Sequence, residues 1–182
     1  MAIAFTFPGQ GSQTVGMGRA LSVAYPEARA VFDEVDAALG EKLSAVIFEG
    51  PRDRLTLTEN AQPALLAVSL AVMRGLEGKG LDLPRHVKLV AGHSLGEYSA
   101  LAAAGAFTVE AAAKLLRLRG KAMQAAVPVG KGAMAALLGV GVEAARNIAE
   151  EAAGGEVCDV ANDNDPGQVV ISGSRGAILR AL

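Results

Sequence analysis

Residues 86–104 read HVKLVAGHSLGEYSALAAA, and this stretch predicts a strand, a tight turn and a helix in direct succession. Residues 87–91 are mostly apolar or β-branched, as in a buried strand, and an Ala- and Leu-rich helical pattern starts about three residues after Gly92. Ser94 lies in the turn, at the centre of a G-x-S-x-G motif that spans residues 92–96. Its hydroxyl is therefore expected at the carboxyl end of a strand, beside backbone N–H groups of a starting helix, where a serine nucleophile is presented.

The shape of the turn requires the two glycines of this motif. The turn is so sharp that a Cβ two residues before or after Ser94 would collide with the neighbouring strand or helix. With 22 glycines in 182 residues, a bare G-x-S-x-G is expected by chance in roughly one such chain in ten. An apolar strand before the motif and a helix after it remove most chance matches, so we favour a functional serine over a plain strand-to-helix turn.

Length, charge and cysteine content restrict the class of protein. The 182 residues suffice for one ordinary domain with a sizeable core, but not comfortably for two. A net charge of -2 and the lack of a basic stripe with interleaved aromatic residues argue against a nucleic-acid or an anionic-membrane partner. The single cysteine, Cys158, excludes an internal disulfide and a cysteine-rich zinc site, and no metal is expected.

Neither a signal peptide nor a membrane-spanning segment is expected. The N-terminal stretch has no basic start, and it meets Pro8 and Gly9 after a short apolar run. Arg74 and Glu77 interrupt the best candidate for the ~20 apolar residues that a bilayer requires. We therefore expect a cytoplasmic protein.

A glycine-rich loop follows the first predicted strand. Residues 2–7 form this strand, which we expect to be buried on both faces, and it runs directly into the loop of residues 8–13. A dinucleotide-binding fingerprint fails here, because Thr14 stands where the third glycine is required. The loop instead offers free backbone N–H groups around Gln10. In an open α/β sheet this loop lies at the same edge as Ser94, which is the edge where ligands bind.

Three further helical patterns lie before residue 127. They cover residues 17–39 with a break at Tyr25-Pro26, residues 62–77 with Pro63 in the first turn, and residues 109–124 with Thr108 as N-cap; residues 78–84 are predicted to be a loop. On the last helix Arg117 and Arg119 lie about 200° apart, so one of the two is expected to be solvated.

The composition changes to that of a linker at residues 127–132. Beyond it the pattern predicts a strand, a helix and two further strands, at residues 133–140, 142–153, 157–161 and 169–172, with a polar turn over residues 162–168. This order of elements resembles the first two thirds of a ferredoxin-like unit. A helix opens at Arg175 close to the end of the chain.

Five short motifs together resemble one known family, and this set is far more specific than G-x-S-x-G alone. The likeness is to malonyl-CoA:acyl carrier protein transacylases, it runs from one end of the chain to the other, and it rests on FPGQGSQ at residues 7–13, QPAL at 62–65, GHSLGEYS at 92–99, RGKAMQ at 119–124 and PGQVV at 166–170. The resemblance implies an α/β fold in which a ferredoxin-like small subdomain is inserted into an α/β-hydrolase-like large subdomain. Residues 1–127 would belong to the large subdomain, and residues 128–182 to an incomplete small one.

The resemblance also implies roles for individual residues. Ser94 matches the nucleophile that takes the malonyl group from coenzyme A as an ester, before the group passes to the phosphopantetheine thiol of acyl carrier protein. The backbone N–H groups of Gln10 and Leu95 match the oxyanion hole, and Arg119 matches the arginine that holds the malonyl carboxylate. A planar cation with two prongs suits a carboxylate. His93 is a further candidate for substrate binding, and no cofactor is expected, because malonyl-CoA is a substrate.

The histidine base of such a mechanism is missing from this sequence. A serine nucleophile of this kind requires a histidine within about 3 Å. The side chain of His93 leaves the turn in another direction, and His86 lies at the far end of the strand, roughly 20 Å away at ~3.3 Å per residue. We therefore expect the chain to be an N-terminal portion of a transacylase, inactive alone, in which strands that should cover one side of the sheet are also missing.

Three alternatives stay open. The acyltransferase could serve polyketide synthesis instead of fatty-acid synthesis, since both use this fold. The same turn could belong to a serine esterase that passes the acyl group to water. The chain could also be a non-catalytic module that binds acyl carrier protein. We expect a monomer.

Overall fold

A computed structural model describes residues 3–128 and 130–182, so Ala2 of the first predicted strand and Val129 of the predicted linker lie outside it. The chain divides into two compact units, Met1–Met123 and Gln124–Leu182. The boundary falls within a helix, four residues before the one that the sequence indicates. Strands and helices occur in both units, so the predicted α/β class is confirmed.

As far as the structure describes it, the first unit contains a two-stranded parallel sheet with helices between and after the strands. Its elements, within the described residues, are β1 (Ile3–Phe7), α1 (Arg19–Ala24), α2 (Pro26–Leu39), α3 (Leu43–Glu49), α4 (Arg52–Thr56), α5 (Thr58–Glu77), α6 (Leu83–His86), β2 (Val87–Gly92), α7 (Gly96–Ala103) and α8 (Val109–Ala126). Phe7 pairs with Gly92 at the carboxyl ends of β1 and β2. The loop after β1 and the turn after β2 therefore leave the sheet at the same edge.

The main hydrophobic core of this unit lies among its helices. Side chains of α2, α5 and α8 fill it, and the largest fully buried ones include Phe32, Leu66 and Leu116. A smaller cluster of Phe7, Met73 and Ala100 packs against the sheet. Burial of apolar surface at about 25 cal/mol per Å² makes these clusters the main source of stability.

The prediction that the first strand is buried on both faces is wrong. Ile3, Ala4 and Thr6 of β1 are exposed, and Leu89 of β2 keeps 61% of its surface exposed. The sheet has two strands within the described residues, and the cluster around Phe7 covers only one of its faces. An apolar strand pattern predicts burial but does not show what lies on each side.

Two helix predictions also need correction. The helix expected at Gln62 begins at Thr58, so Pro63 is its sixth residue and does not lie in the first turn. The polar residues before Gln62 resemble a loop in sequence, but Asn60 is buried and hydrogen-bonded to residues outside the helix. Within the predicted loop 78–84 the short helix α6 begins, where the Asp82 carboxylate accepts a hydrogen bond from the Arg85 N–H.

In its described residues, the second unit contains a three-stranded antiparallel sheet with two helices. Its elements are β3 (Gly132–Leu138), α9 (Val142–Ala153), β4 (Cys158–Asp165), β5 (Gln168–Ser174) and α10 (Arg175–Ala181), and the strand order is β3-β5-β4. Ala149, Ile171 and Ile178 are central to its core. The helix predicted over residues 142–153 is confirmed.

The polar turn predicted over residues 162–168 is wrong. Residues up to Asp165 continue β4, and only Pro166 and Gly167 separate the two strands. The polar side chains of this stretch are exposed on an outer strand, while their backbone pairs with β5. Polar composition therefore indicated solvent exposure correctly, but not the absence of a strand.

Candidate functional site

Ser94 lies on a strained turn between β2 and α7. Its backbone φ is +54°, in the left-handed region that non-glycine residues rarely adopt. A Cβ on Gly92 would lie 1.9 Å from the carbonyl carbon of Gly96, and one on Gly96 would lie 2.3 Å from the Phe7 oxygen. Both positions therefore require glycine, as predicted, and the strand, turn and helix around Ser94 are confirmed.

A fixed cation lies beside the Ser94 hydroxyl. Nη2 of Arg119 donates a hydrogen bond of 3.0 Å to Ser94 Oγ, and Nη1 donates one of 2.7 Å to Gln62 Oε1. Ser94 is exposed, while Arg119 is half-buried. The structure thus brings together two of the predicted site residues, one in the turn before α7 and one on α8, which are 25 residues apart in sequence.

Gln62 has a role that the sequence reasoning missed. Its side chain is fully buried, its oxygen accepts from Arg119, and its Nε2 donates to Met123 Sδ at 3.3 Å. Because a guanidinium can only donate and a thioether can only accept, the amide has one favourable orientation, with its oxygen toward the guanidinium. Gln62 lies in the QPAL motif, and Arg119 and Met123 lie in the RGKAMQ motif. The motifs could therefore have marked Gln62 as a site residue, although they do not show which residues are in contact.

The glycine-rich loop lies against the residue that precedes Ser94. A Cβ on Gly9 would lie 2.4 Å from His93 Nδ1, so loop and ring are in close contact. Gln10 is exposed, and its side-chain amide donates to Thr58 Oγ1 at 3.2 Å. Leu95 is fully buried. Among the hydrogen bonds of the described residues, none uses the backbone N–H of Gln10 or Leu95.

Neither histidine bonds the serine hydroxyl within the described residues. His93 is exposed, and its backbone N–H donates to the Phe7 oxygen at 3.0 Å. His86 ends α6 at the opposite end of β2, where its Nδ1 accepts a hydrogen bond of 3.1 Å from the Asp82 N–H. The geometry agrees with the expectation that neither residue is placed to act as a base on Ser94.

The prediction that either Arg117 or Arg119 is solvated is wrong. The Arg117 side chain is only 12% exposed, and its Nη1 donates to the Glu59 backbone oxygen at 2.7 Å. Both arginines of α8 thus bind the first turns of α5. A separation of 200° places two side chains on different faces, but it does not show which of the faces are covered.

Two kinds of feature are absent from the part of the chain that the structure describes. No group of three or more His, Cys, Asp or Glu side chains lies close enough to hold a metal ion. No helix there combines the length and the apolar character that crossing a membrane requires.

Comparisons with known proteins agree with this geometry. The model of the family described as Acyl transferase domain matches residues 4–182. A malonyl CoA-acyl carrier protein transacylase of Bacillus subtilis (strain 168) is 50% identical over 173 residues, which are 94% of this chain and 53% of that protein. The crystal structure of an acyl-carrier-protein-S-malonyltransferase from Bartonella henselae has a TM-score of 0.93 and 59% identity, and the match covers 100% of this chain and 58% of that one.

A third similar protein was solved with its partner. It is a malonyl-transacylase in complex with a type II PKS acyl-carrier protein, with a TM-score of 0.90 and 44% identity over 100% of this chain and 58% of that one. The present chain therefore spans a little more than half the length of these relatives.

Proposed function

Because the chain belongs to the acyl transferase family, we propose that the protein transfers a malonyl group from coenzyme A to the phosphopantetheine thiol of acyl carrier protein. The observation that carries this proposal is the hydrogen bond of 3.0 Å between Arg119 Nη2 and Ser94 Oγ. It places a guanidinium, which prefers carboxylates, beside an exposed hydroxyl on a strained turn. The names of the Bacillus subtilis and Bartonella henselae relatives support the same reaction.

The reaction has two steps with balanced bond changes. Ser94 Oγ attacks the thioester carbonyl, a C–O bond forms, the C–S bond breaks, and coenzyme A leaves as the thiol. The carrier thiol then attacks the ester carbonyl, a C–S bond forms, the C–O bond to Ser94 breaks, and Oγ receives the proton of the thiol. In each step a base takes the proton of the attacking group and gives it to the leaving group. We propose that this base is a histidine in a region corresponding to the part of the relatives that this chain does not match. Residues 1–182 alone would then be inactive.

Two free backbone N–H groups would stabilise the carbonyl oxygen that becomes negatively charged in each step. The N–H groups of Gln10 and Leu95 make no hydrogen bond among the described residues, and they follow β1 and β2 at the same sheet edge. We propose that they form the oxyanion hole, where one donor contributes about 3 kcal/mol in comparable sites. His93, in contact with Gly9, would line the substrate site beside them.

Arg119 would select malonyl over acetyl groups. One of its Nη atoms is held by the buried Gln62, and the other is directed at Ser94. A free carboxylate on the acyl group would bond to this second prong, while an acetyl group has nothing to offer it. Selectivity would therefore depend on how well the guanidinium is held in place.

The finer division of the fold is part of this proposal. The strand order and the elements of the second unit support a ferredoxin-like small subdomain, and the strand–turn–helix at Ser94 supports an α/β-hydrolase-like large one. Fatty-acid synthesis is the pathway we favour, and the relative solved with a type II PKS carrier protein supports polyketide synthesis as the second candidate. A monomeric state and a cytoplasmic location stay predictions.

The proposal is tested by measuring malonyl transfer in the complete protein. We expect transfer from malonyl-CoA to a phosphopantetheine thiol to exceed hydrolysis, and Arg119→Leu to lower kcat/KM for malonyl-CoA by roughly 30- to 100-fold with little change for acetyl-CoA. Arg29→Leu, an exposed arginine paired with Asp33, is the control and should change neither. Hydrolysis without transfer would favour an esterase, and carrier binding without either reaction would favour a non-catalytic module.

A further inference from the structure

Helix α5 contains a gap in its hydrogen bonding, which a side chain of α8 fills. In a regular helix the N–H of residue 63 would donate to the oxygen of residue 59, but Pro63 has no N–H. Nη1 of Arg117 donates to this Glu59 oxygen at 2.7 Å instead. Glu59 is half-buried, and a carbonyl that is shielded from water and lacks a donor costs about 1–3 kcal/mol, so the contact is not incidental.

Arg117 is also tied to groups outside this gap. Its Nη1 lies 2.5 Å from Asn60 Oδ1, its Nη2 donates to the Glu41 carboxylate, and Asn60 Nδ2 in turn donates to the Arg54 oxygen at 2.7 Å. The Arg117 side chain is 12% exposed. The guanidinium is therefore held by several groups, so α8 cannot move relative to α5 without breaking these hydrogen bonds.

The same region of α5 holds the cation beside Ser94. Gln62, which binds Arg119, lies three residues after Glu59, which binds Arg117, and the two arginines are two residues apart on α8. Gly120 brings the two helix backbones together, since a Cβ there would lie 2.6 Å from Glu59 Cα. A shift of α8 against α5 would thus move Arg119 away from both Gln62 and Ser94.

We propose that Arg117 is a positioning residue for the selection of carboxylate-bearing acyl groups. It replaces the donor that Pro63 lacks, fixes α8 on the first turns of α5, and so holds the Arg119 guanidinium at the Ser94 hydroxyl. Arg117 itself does not touch the substrate. The inference rests on the proposed function, because it concerns the same Ser94 and Arg119.

The test exploits the fact that Pro63→Ala restores the missing N–H. The ratio of kcat/KM for malonyl-CoA to that for acetyl-CoA is measured in the complete protein for Arg117→Met, Pro63→Ala and the double variant. We expect Arg117→Met to lower the ratio roughly ten- to hundredfold. Pro63→Ala should keep the ratio of the unchanged protein. The double variant should keep the lowered ratio, because the restored backbone N–H donates to the Glu59 oxygen within α5 and does not hold α8 against it. Recovery of the ratio would overturn the positioning role, since it would show that the Glu59 carbonyl alone matters.

Two controls separate positioning from stability. Arg74→Met removes an exposed arginine of α5 that is paired with Glu77, and it should leave the ratio unchanged. If Arg117→Met does not fold, Arg117→Lys takes its place in the comparison. A lower urea midpoint with an unchanged malonyl-to-acetyl ratio would overturn the inference and leave the proposed function intact.

A protein that transfers no malonyl group would overturn the proposed function, and the positioning role with it. Urea midpoints alone would then test whether Arg117 replaces the N–H that Pro63 lacks. We expect Arg117→Met to lower the midpoint less in the Pro63→Ala background than in the unchanged protein. Equal shifts in both backgrounds would show that Arg117 does not serve the gap at Pro63.

Discussion

Two arginines of this protein bind helix carbonyls, and their surroundings differ. Arg117 of the first unit binds the Glu59 oxygen inside α5. Arg180 of the second unit donates to the oxygens of Ala152 and Ala153 at the end of α9, at 2.8 Å each. Each also pairs with a carboxylate, Glu41 and Glu156 respectively. The Arg117 side chain is 12% exposed, whereas that of Arg180 is 47% exposed.

The two sites show where a helix needs a side chain and where it only benefits from one. The last four carbonyls of any helix lack an internal partner, and water replaces Arg180 there at little cost. The gap at Glu59 arises inside α5 because Pro63 lacks a donor, and it is covered by α8. Water reaches such a site poorly, so loss of Arg117 leaves a carbonyl unpaired. Loss of Arg117 should therefore cost more free energy than loss of Arg180, although both side chains bind helix carbonyls.

The largest expected effect is on the stability of α5. Arg117→Met should lower the free energy of local unfolding of α5 by roughly 2–4 kcal/mol. Arg180→Met should cost α9 about 1 kcal/mol, because its carbonyls are partly solvated. Amide hydrogen exchange resolves both helices in one experiment. Equal losses in α5 and α9 would show that burial does not distinguish the two arginines.

The contact of α8 with α5 is tested by adding one carbon atom. Gly120→Ala places a Cβ within 2.6 Å of Glu59 Cα, so the helices must separate, at a cost of roughly 1–3 kcal/mol. Gly75→Ala is the matched control, since its Cβ would meet only Leu21 Cδ1 at 3.6 Å. That variant should be neutral or stabilising, because alanine favours a helix by about 1 kcal/mol. Urea unfolding of both variants gives the comparison, and a tolerated Gly120→Ala would contradict the close approach of the helices.

The smallest expected effect concerns the exposed pair of the second unit. Hydrogen bonds from Arg180 and Ser174 lower the pKa of Glu156 below its ordinary value of 4.5. A lowered pKa means that the ionised carboxylate stabilises the fold above this ordinary value, and that this contribution is lost as the pH falls through the lowered one. The urea midpoint of Glu156→Gln should therefore lie slightly below that of the unchanged protein at pH 7. A difference that persists at about pH 2 would assign the effect to something other than charge.

The sequence alone predicted the parts of the site that depend on local geometry. The sharp turn at Ser94 requires small residues two positions away on each side, and Gly92 and Gly96 stand there. Thr108 was predicted as an N-cap, and its Oγ1 accepts a hydrogen bond from the Ala111 N–H. Such features involve residues within a few positions of one another, so their spacing is visible in the sequence.

The parts that depend on distant contacts were not predictable in this way. Pro63 indicated a helix start, but its missing donor is supplied by Arg117, 54 positions later along the chain. Only the resemblance to a family favoured Arg119 over Arg117 as the residue beside Ser94. The strand pattern of residues 2–7 also did not indicate the exposed face of β1, because a strand pattern does not report how many strands a sheet contains.

The most direct test of the account is the site of acylation in the complete protein. After incubation with malonyl-CoA and no acceptor, peptide mass spectrometry should find one malonyl group per chain, as an ester on the Ser94 hydroxyl. Ser94→Ala should carry none, although its fold is unchanged by circular dichroism. A malonyl group on another residue, or undiminished acylation of Ser94→Ala, would contradict the account.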